Sequence, residues 1–312
     1  MGVDVGGTKM LGLVLDAGGT VTAEQRRVTP SGGEELTAAL VALVTDLVGE
    51  TAGSARVGVG LPGLVDRAGT LRFAPNLPGV VEVSVGPTLA SATGLPVTID
   101  NDATCAAWAE HVQGAAHGVG DALLVTVGTG IGGGLLLGGR LVRGASGFAG
   151  ELGHMVVETG GIACWCGRRG CWERYASGTA LGCAGRELAR TGGGRLAQLA
   201  GGDPDQVRGE HVIAAARQGD ADAGAAVERV SGWLGLGLAN LVHILDVEVV
   251  VLGGGLVDAA DVLLDPVRRA LGQRVFAPDH RPSVPVVAAR LGERAGAIGA
   301  ALLAREPGEV GA

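Results

Sequence analysis

Three of the five cysteines fall within eight residues, Cys164, Cys166 and Cys171, and His154 lies ten positions before the first of them. Thiolate and imidazole are the ligands that suit a tetrahedral zinc ion. One His and three Cys complete a four-ligand set and leave no position for bound water, which is the pattern of a structural site. Disulfides are the competing reading. Five is an odd number, however, and Cys164 and Cys166 are too close in sequence to bridge comfortably. Buried free thiols are a second competitor, and the one-residue gap between Cys164 and Cys166 is shorter than the commonest zinc spacing. A lone His often serves a local hydrogen bond, so His154 is the weaker ligand candidate. The residues favour structural zinc. The same stretch holds Glu151 and Glu173, carboxylates able to grip hydroxyl groups.

Three glycine-rich turns offer a second chemistry. GVDVGGTK at 2–9 is not a Walker A loop, which needs Gly, four residues and then Gly-Lys-Ser/Thr. GTGIGG at 128–133 satisfies GxGxxG by letter, but an apolar run with a hairpin turn follows it, where a dinucleotide site requires a helix. Glycine lets backbone N–H groups approach phosphate oxygens closely. The turns around Gly6, Gly7, Thr8 and Lys9, around Thr126, Gly128, Thr129 and Gly130, and at Gly253, Gly254 and Gly255 are therefore candidate phosphate and nucleotide contacts. Thr8 and Thr129 would add hydroxyl donors, Lys9 a positive charge, and Asp4 a hold on magnesium. A single such turn merely connects strands; two matched turns with a third favour a nucleotide cleft between two halves.

Asp102 is the catalytic candidate. It stands at a strand end and a helix start in IDNDATCAA. Helix capping is its ordinary use. Capping accounts for one of the neighbours Asn101 and Asp102, which leaves Asn101 for a substrate hydroxyl. A carboxylate near a phosphate cleft can accept the proton of an attacking hydroxyl, and a helix N-terminus favours its ionised form.

The elements that must position these groups follow from the apolar and glycine pattern. Residues 2–29 read as three strands joined by glycine turns, and 122–142 repeat that pattern, as if one supersecondary unit were used twice. A helix is expected at Glu34–Val48 capped by Ser31, a strand at Arg56–Gly60, irregular chain at 71–82 carrying Asn76, a helix near Pro87–Thr93, a strand at Pro96–Ile99 and a helix from Asn101. Helices fill much of 179–245, with a loop near 191–209. A buried strand leads into Gly253, and an amphipathic helix over about 293–305 should pack back on the first half. The 312 residues suffice for two domains, 1–112 with 297–312 and 113–296. A net charge of −8 argues against general affinity for nucleic acid. No apolar run reaches membrane-spanning length, and no basic, apolar leader opens the chain. Together with reduced thiols, this suggests the cytoplasm.

These residues resemble the ROK family of sugar kinases and regulators, in particular its bacterial glucokinases. The resemblance rests on DVGGTK at 4–9, TVGTGIGGGLLLGGRLVRGASGFAGELGH at 126–154, CWCGRRGCWE at 164–173, VVLGGGL at 250–256 and LGERAGAIGAALLA at 291–304, and it covers essentially the whole chain. It implies an α/β, actin-like ATPase (ribonuclease H-like) fold, two α/β domains flanking a deep cleft. It implies ATP-dependent phosphorylation of glucose to glucose 6-phosphate, with ATP and Mg2+ between the glycine turns. It makes Asp102 the general base, places Asn76, Asn101, Glu151, His154 and Glu173 at the sugar, and gives zinc the ligands His154, Cys164, Cys166 and Cys171. If zinc takes one nitrogen of His154, the other carries the proton and can donate to the sugar. A homodimer or homotetramer is expected. Another hexose, an N-acetylhexosamine or a polyphosphate donor remains open within the kinases. A sugar-responsive repressor would add an N-terminal helix-turn-helix, and a chaperone-like ATPase would not need the zinc-and-carboxylate site.

Overall fold

The computed structural model describes residues 1–50, 55–191 and 194–305. Residues 306–312, part of the range expected in the small domain, lie outside the described residues. Contacts divide the chain into two units. The first takes in Met1–Gly120, Gly134–Gly150 and the segment from Arg290 onward; the second takes in Asp121–Gly133 and Glu151–Ala289.

The strands in chain order are β1 (Gly2–Val5), β2 (Lys9–Leu15), β3 (Val21–Val28), β4 (Val57–Leu61), β5 (Leu64–Val65), β6 (Leu71–Phe73), β7 (Val81–Val83), β8 (Val97–Asn101), β9 (Ala122–Val127), β10 (Ile131–Leu137), β11 (Arg140–Leu141), β12 (Val249–Gly253) and β13 (Val286–Ala288). They form one sheet of order β3-β2-β1-β4-β8, a second of order β11-β10-β9-β12-β13, and a small sheet β5-β6-β7. In the first sheet β1, β2 and β3 run antiparallel, and β4 and β8 add in parallel. In the second, β10 and β11 are an antiparallel hairpin, and β12 is parallel to both β9 and β13. The repeat legible at 2–29 and 122–142 is thus a repeat of topology: a hairpin on one side of the opening strand, parallel crossover strands on the other.

Local sequence explains the elements. β2, KMLGLVL, is apolar almost throughout and buried after Lys9, as a strand covered on both faces must be. β3, VTAEQRRV, ends the sheet and carries three charged residues, Glu24, Arg26 and Arg27, which discourage edge pairing. The helix Gly33–Val48 buries Leu36, Leu40, Leu43 and Leu47, one stripe at helical spacing. Its cap is Gly32, not Ser31: Gly32 sits at φ 95, which glycine tolerates, and makes no side-chain cap bond. Chain expected to be irregular at 71–82 instead supplies β6 and β7, two short, largely exposed strands too brief to show alternation. The expected loop at 191–209 includes the helix Gly194–Leu199 and a short 3-10 turn at Pro204–Gln206.

The helix Ala295–Leu303 belongs to the first unit, as anticipated, but it is not amphipathic: all but one of its positions are buried. Glycine makes this possible. A Cβ on Gly2 of β1 would lie 1.9 Å from Ala297 O, one on Gly58 of β4 1.8 Å from Ala300 O, and one on Gly299 1.7 Å from Cys105 O. Backbone therefore meets backbone on both sides of the helix. Among the described residues no helix is long and apolar enough to cross a membrane.

This packing predicts opposite signs for two glycine substitutions. Gly299→Ala should destabilise the protein by about 3 kcal/mol through overpacking. Gly232→Ala, in the helix Ala221–Leu245 with nothing within 4 Å of the added methyl, should stabilise it by up to about 1 kcal/mol. Urea denaturation of both variants checks the pair.

Candidate functional site

In the second unit the cysteine segment folds as a knuckle. Cys164 N donates to Arg168 O at 2.8 Å and Gly167 N to Cys164 O at 3.0 Å, which closes a tight turn. Bridges Ala163–Arg169 and Val156–Cys171 return the chain alongside itself. Gly170 is needed there: its φ is 81, and a Cβ would lie 1.8 Å from Glu158 O. Trp172, fully buried, anchors the knuckle to the helix Ala221–Leu245 by donating Nε1–H to Trp233 O at 2.7 Å. The indole fits only because residue 237 is glycine, whose Cβ would fall 2.1 Å from the ring.

The knuckle gathers ligand atoms of His154, Cys164, Cys166 and Cys171 within 4.8 Å of one another. A tetrahedral zinc with Zn–S of about 2.3 Å sets its sulfurs about 3.8 Å apart. Cys166 Sγ lies 3.6 Å from Cys171 Sγ, and Cys164 Sγ lies 3.9 Å from His154 Nδ1. All five cysteines are free of disulfides. The donor set and its spacing fit a closed zinc site.

The two nitrogens of His154 face different ways. Nδ1 points at the thiols, while Nε2 is 4.0 Å from Glu151 Oε2. Glu173, with 5% exposure, brings Oε1 to 3.8 Å from His154 Nδ1 and 3.3 Å from Cys164 Sγ. Burial, and then the charge of Glu173, raise the pKa of Glu151. The second glycine turn joins this cluster: a Cβ on Gly130 would lie 2.7 Å from Glu173 Oε2. Gly178 N donates to Gly128 O at 2.8 Å, and Thr179 Oγ1 donates to Thr129 O at 2.6 Å. Thr126 pairs in register with Gly253, and Gly254, at φ 81, backs directly onto Val127. Glu151, His154, Glu173, Thr126–Gly130 and Gly253–Gly255 therefore form one neighbourhood. Trp172, which orients Glu173 from the adjacent position, escaped the sequence reading; an aromatic beside a ligand cysteine was the available signal.

In the first unit the opening turn closes by Gly6 N donating to Lys9 O at 2.9 Å, and Thr29 clasps it through Thr29 Oγ1 to Gly6 O at 2.7 Å. Thr8 O accepts from Thr29 N at 3.1 Å. Asn76 lies against this turn, since a Cβ on Gly7 would be 3.0 Å from Asn76 O. The Lys9 ammonium is paired with Glu293 at 2.8 Å.

At the base of the turn two carboxylates approach. Asp4 Oδ1 and Asp102 Cα both lie within 3.5 Å of the place a Gly60 Cβ would occupy, and the helix Ala295–Leu303 reaches Asp4 through Gly296. Burial, and then the charge of Asp102, push Asp4 up to about 8, with Lys9 pulling the other way. The capping assignment is the reverse of the expected one. Asn101 is the cap of the helix Asp102–Gln113: its Oδ1 accepts from Thr104 N at 3.1 Å, and its Nδ2 donates to Gly63 O at 3.2 Å. Asp102 is the residue left over, with Oδ1 accepting from Ala103 N at 2.8 Å. Behind them Asp100, 8% exposed, accepts from Arg143 Nε at 2.7 Å and from Asn101 N at 2.9 Å, which fixes the end of β8.

The Asp4 shift carries a stability prediction. A carboxyl whose folded pKa is raised costs the native state its ionisation, so its contribution is intact at acid pH and is lost as pH rises toward about 8. Asp4→Asn should therefore make the ligand-free protein more stable than wild type at pH 8. The advantage should shrink as pH falls toward the ordinary carboxylate range. Denaturant midpoints across that pH range test it.

The sequence matches the ROK family over residues 1–307. A glucokinase of Streptomyces coelicolor is 38% identical over 311 residues, 98% of each chain, and a glucokinase of Thermotoga maritima 36% identical over 308 residues, 98% of this chain and 97% of its own. Among solved structures, a ROK family glucokinase from Streptomyces griseus in complex with glucose and AMPPNP superposes with a TM-score of 0.89 at 38% identity, covering 97% of this chain and 98% of that one. The paired sheet topology described above is that of the actin-like ATPase fold, and the chain belongs to the ROK family.

Proposed function

We propose that the protein is a glucokinase that transfers the terminal phosphoryl group of ATP to the primary hydroxyl of glucose. The observation that carries the reading is the neighbourhood in the second unit. There a zinc-ligand set holds His154 with Nδ1 inward and Nε2 toward Glu151, and Glu173 stands beside it. Two carboxylates and an imidazole N–H make a site for vicinal hydroxyls, and full-length glucokinase relatives support glucose as their ligand.

In this reading zinc, when bound, supplies four-coordinate rigidity and no reacting group. With Nδ1 committed to the metal, His154 Nε2 keeps its proton and donates to a sugar oxygen, while Glu151 and Glu173 accept from sugar hydroxyls. Asn76 and Asn101 would add amide contacts to the sugar. Asp102 takes the proton of the primary hydroxyl as its oxygen bonds to the terminal phosphorus and the bond to ADP breaks. The glycine turns offer backbone N–H groups to the phosphates, and Gly253–Gly255 contacts the nucleoside side. Asp4 is the residue that would hold magnesium. Burial, and then the charge of Asp102, raise its carboxyl to about 8, and a divalent cation would offset both. Free thiols and the need for ATP support a cytoplasmic location.

A coupled assay of ADP release over a panel of hexoses and N-acetylhexosamines, with ATP and polyphosphate as donors, tests the reading; a panel in which glucose is not the best acceptor overturns it. Asp102→Asn should lower kcat by about 10²- to 10⁴-fold, the usual worth of a general base, while glucose still binds near wild-type affinity in calorimetry. Cys166→Ser should lose zinc by metal analysis and weaken glucose binding by about tenfold, on the scale of damaged metal-site support. Unchanged sugar affinity in the zinc-free variant would separate metal from sugar.

A further inference from the structure

Glu110 is a carboxylate that the reaction above does not use, and it is 1% exposed. It lies on the helix Asp102–Gln113, two turns and about 12 Å along the axis from Asp102. Burying a charge is costly unless it is fully hydrogen-bonded. Here the bonds come from backbone. Oε2 accepts from Ala115 N at 2.7 Å. Oε1 accepts from Leu291 N at 2.8 Å, and Arg290 N is shared between Oε1 at 2.9 Å and Oε2 at 3.1 Å. The carbonyl of the same residue accepts from Gly114 N at 3.1 Å and Ala116 N at 3.0 Å. Five N–H groups thus converge on one residue. Gly114 is fitted to the arrangement, since a Cβ there would stand 2.1 Å from Glu110 Oε2.

The positions of those donors give the cluster its meaning. The chain first leaves the first unit after Gly120, revisits it over Gly134–Gly150, and returns to it for the last time at Arg290. Ala115 and Ala116 begin the outgoing segment; Arg290 and Leu291 begin the returning one. One buried carboxylate therefore ties the first outgoing segment to the last returning one, and it does so on the helix that carries Asp102.

We infer that Glu110 is a positioning residue: it pins the first outgoing and the last returning segments of the first unit to the helix Asp102–Gln113 and so fixes the helix from which Asp102 is presented for phosphoryl transfer. The inference rests on the kinase reading for its effect on turnover, but the pin itself does not depend on the substrate. Bonds to an ionised acceptor are the stronger kind, and a carboxylate offers two acceptor oxygens where an amide offers one. Glu110→Gln keeps the shape, turns an N–H2 group toward a backbone donor and should release one side of the pin.

Hydrogen exchange followed by mass spectrometry, with kinetics on the same samples, decides it. In the wild-type protein the amides of Ala115, Arg290 and Leu291 should be among the protected sites. Exchange there as fast as in exposed loops overturns the pin without any variant. Glu110→Gln should speed exchange at 114–120 and 289–294 by about tenfold or more while the rest of the protein stays protected, a local opening rather than global loss. Its kcat should fall roughly tenfold to a hundredfold, the cost of misplaced reacting groups, with zinc content unchanged. Val44→Ala, a core variant in the helix Gly33–Val48 whose cluster does not include Ala109 or Leu291, with its own loss of thermal stability, should leave kcat intact. Turnover of Glu110→Gln equal to wild type, or lost in both variants alike, overturns the positioning role. If wild type phosphorylates no hexose, the kinase reading falls and the exchange data still decide the pin.

Discussion

Four ligand atoms from the segment 154–171 lie within 4.8 Å of one another, and a polypeptide cannot bring them so close without turning back on itself. Three thiols packed together gain little by themselves; a divalent ion makes the convergence favourable, because ligand binding free energy becomes folding free energy. The surrounding sequence accommodates that turn. Gly170 accepts a backbone approach closed to any side chain, and Gly237 opens the helix Ala221–Leu245 to the Trp172 indole. The indole hydrogen bond to Trp233 O then ties the knuckle to that helix. Glu173 inherits its position from the two residues before it: Cys171 in the ligand set and Trp172 in the core. A local staple of this kind holds side chains to within fractions of an ångström, which a loop alone does not.

The first unit solves a different problem, that of keeping two carboxylates close. Asp4 and Asp102 both lie against Gly60, Asp4 also against Gly296, and burial, with the charge of Asp102 second, holds the Asp4 carboxyl at about 8. A fold optimised for stability alone would separate them. A buried carboxyl kept beside a second one is characteristic of groups meant to meet a cation or a proton. Its cost is met by dense packing elsewhere, where the helix Ala295–Leu303 lies against β1, β4 and the helix Asp102–Gln113 through glycine and alanine.

Much of this was legible in the sequence, and the limits have physical reasons. Cysteine spacing and glycine turns announce themselves because few residue types can do those jobs. The repeat of strand order followed from two copies of one hairpin pattern. Single hydrogen bonds did not. Ser31 and Gly32 are adjacent, and only the backbone angle shows that a glycine, not a hydroxyl, starts the helix. Asn101 and Asp102 are both good caps, and their roles were exchanged because a one-residue shift of the helix start is below what pattern can resolve. β6 and β7 are three residues each, too short for a period-two signal. The closing helix was read as amphipathic because alanine and glycine look neutral in sequence, whereas small residues are what let a helix be buried on every side. Glu110 gave no signal at all: its partners are backbone N–H groups, up to 181 positions away.

Lys9 shows how a group can be both engaged and available. Its ammonium pairs with Glu293 at 2.8 Å, and Glu293 also accepts from Arg26, whose other partner Glu24 is bound by Arg294. The network holds the opening hairpin against the turn that precedes the closing helix. Yet the Lys9 and Glu293 side chains are 56% and 50% exposed, so the pair is screened and worth little, at most about 1 kcal/mol. A phosphate with two or more negative charges next to backbone N–H groups is a stronger partner than one solvated carboxylate. Arg26 would remain to neutralise Glu293 once Lys9 turned away. The ion pair thus keeps the lysine near the turn at small cost, beside the exposed residues Gly7 and Thr8 where an anion would arrive.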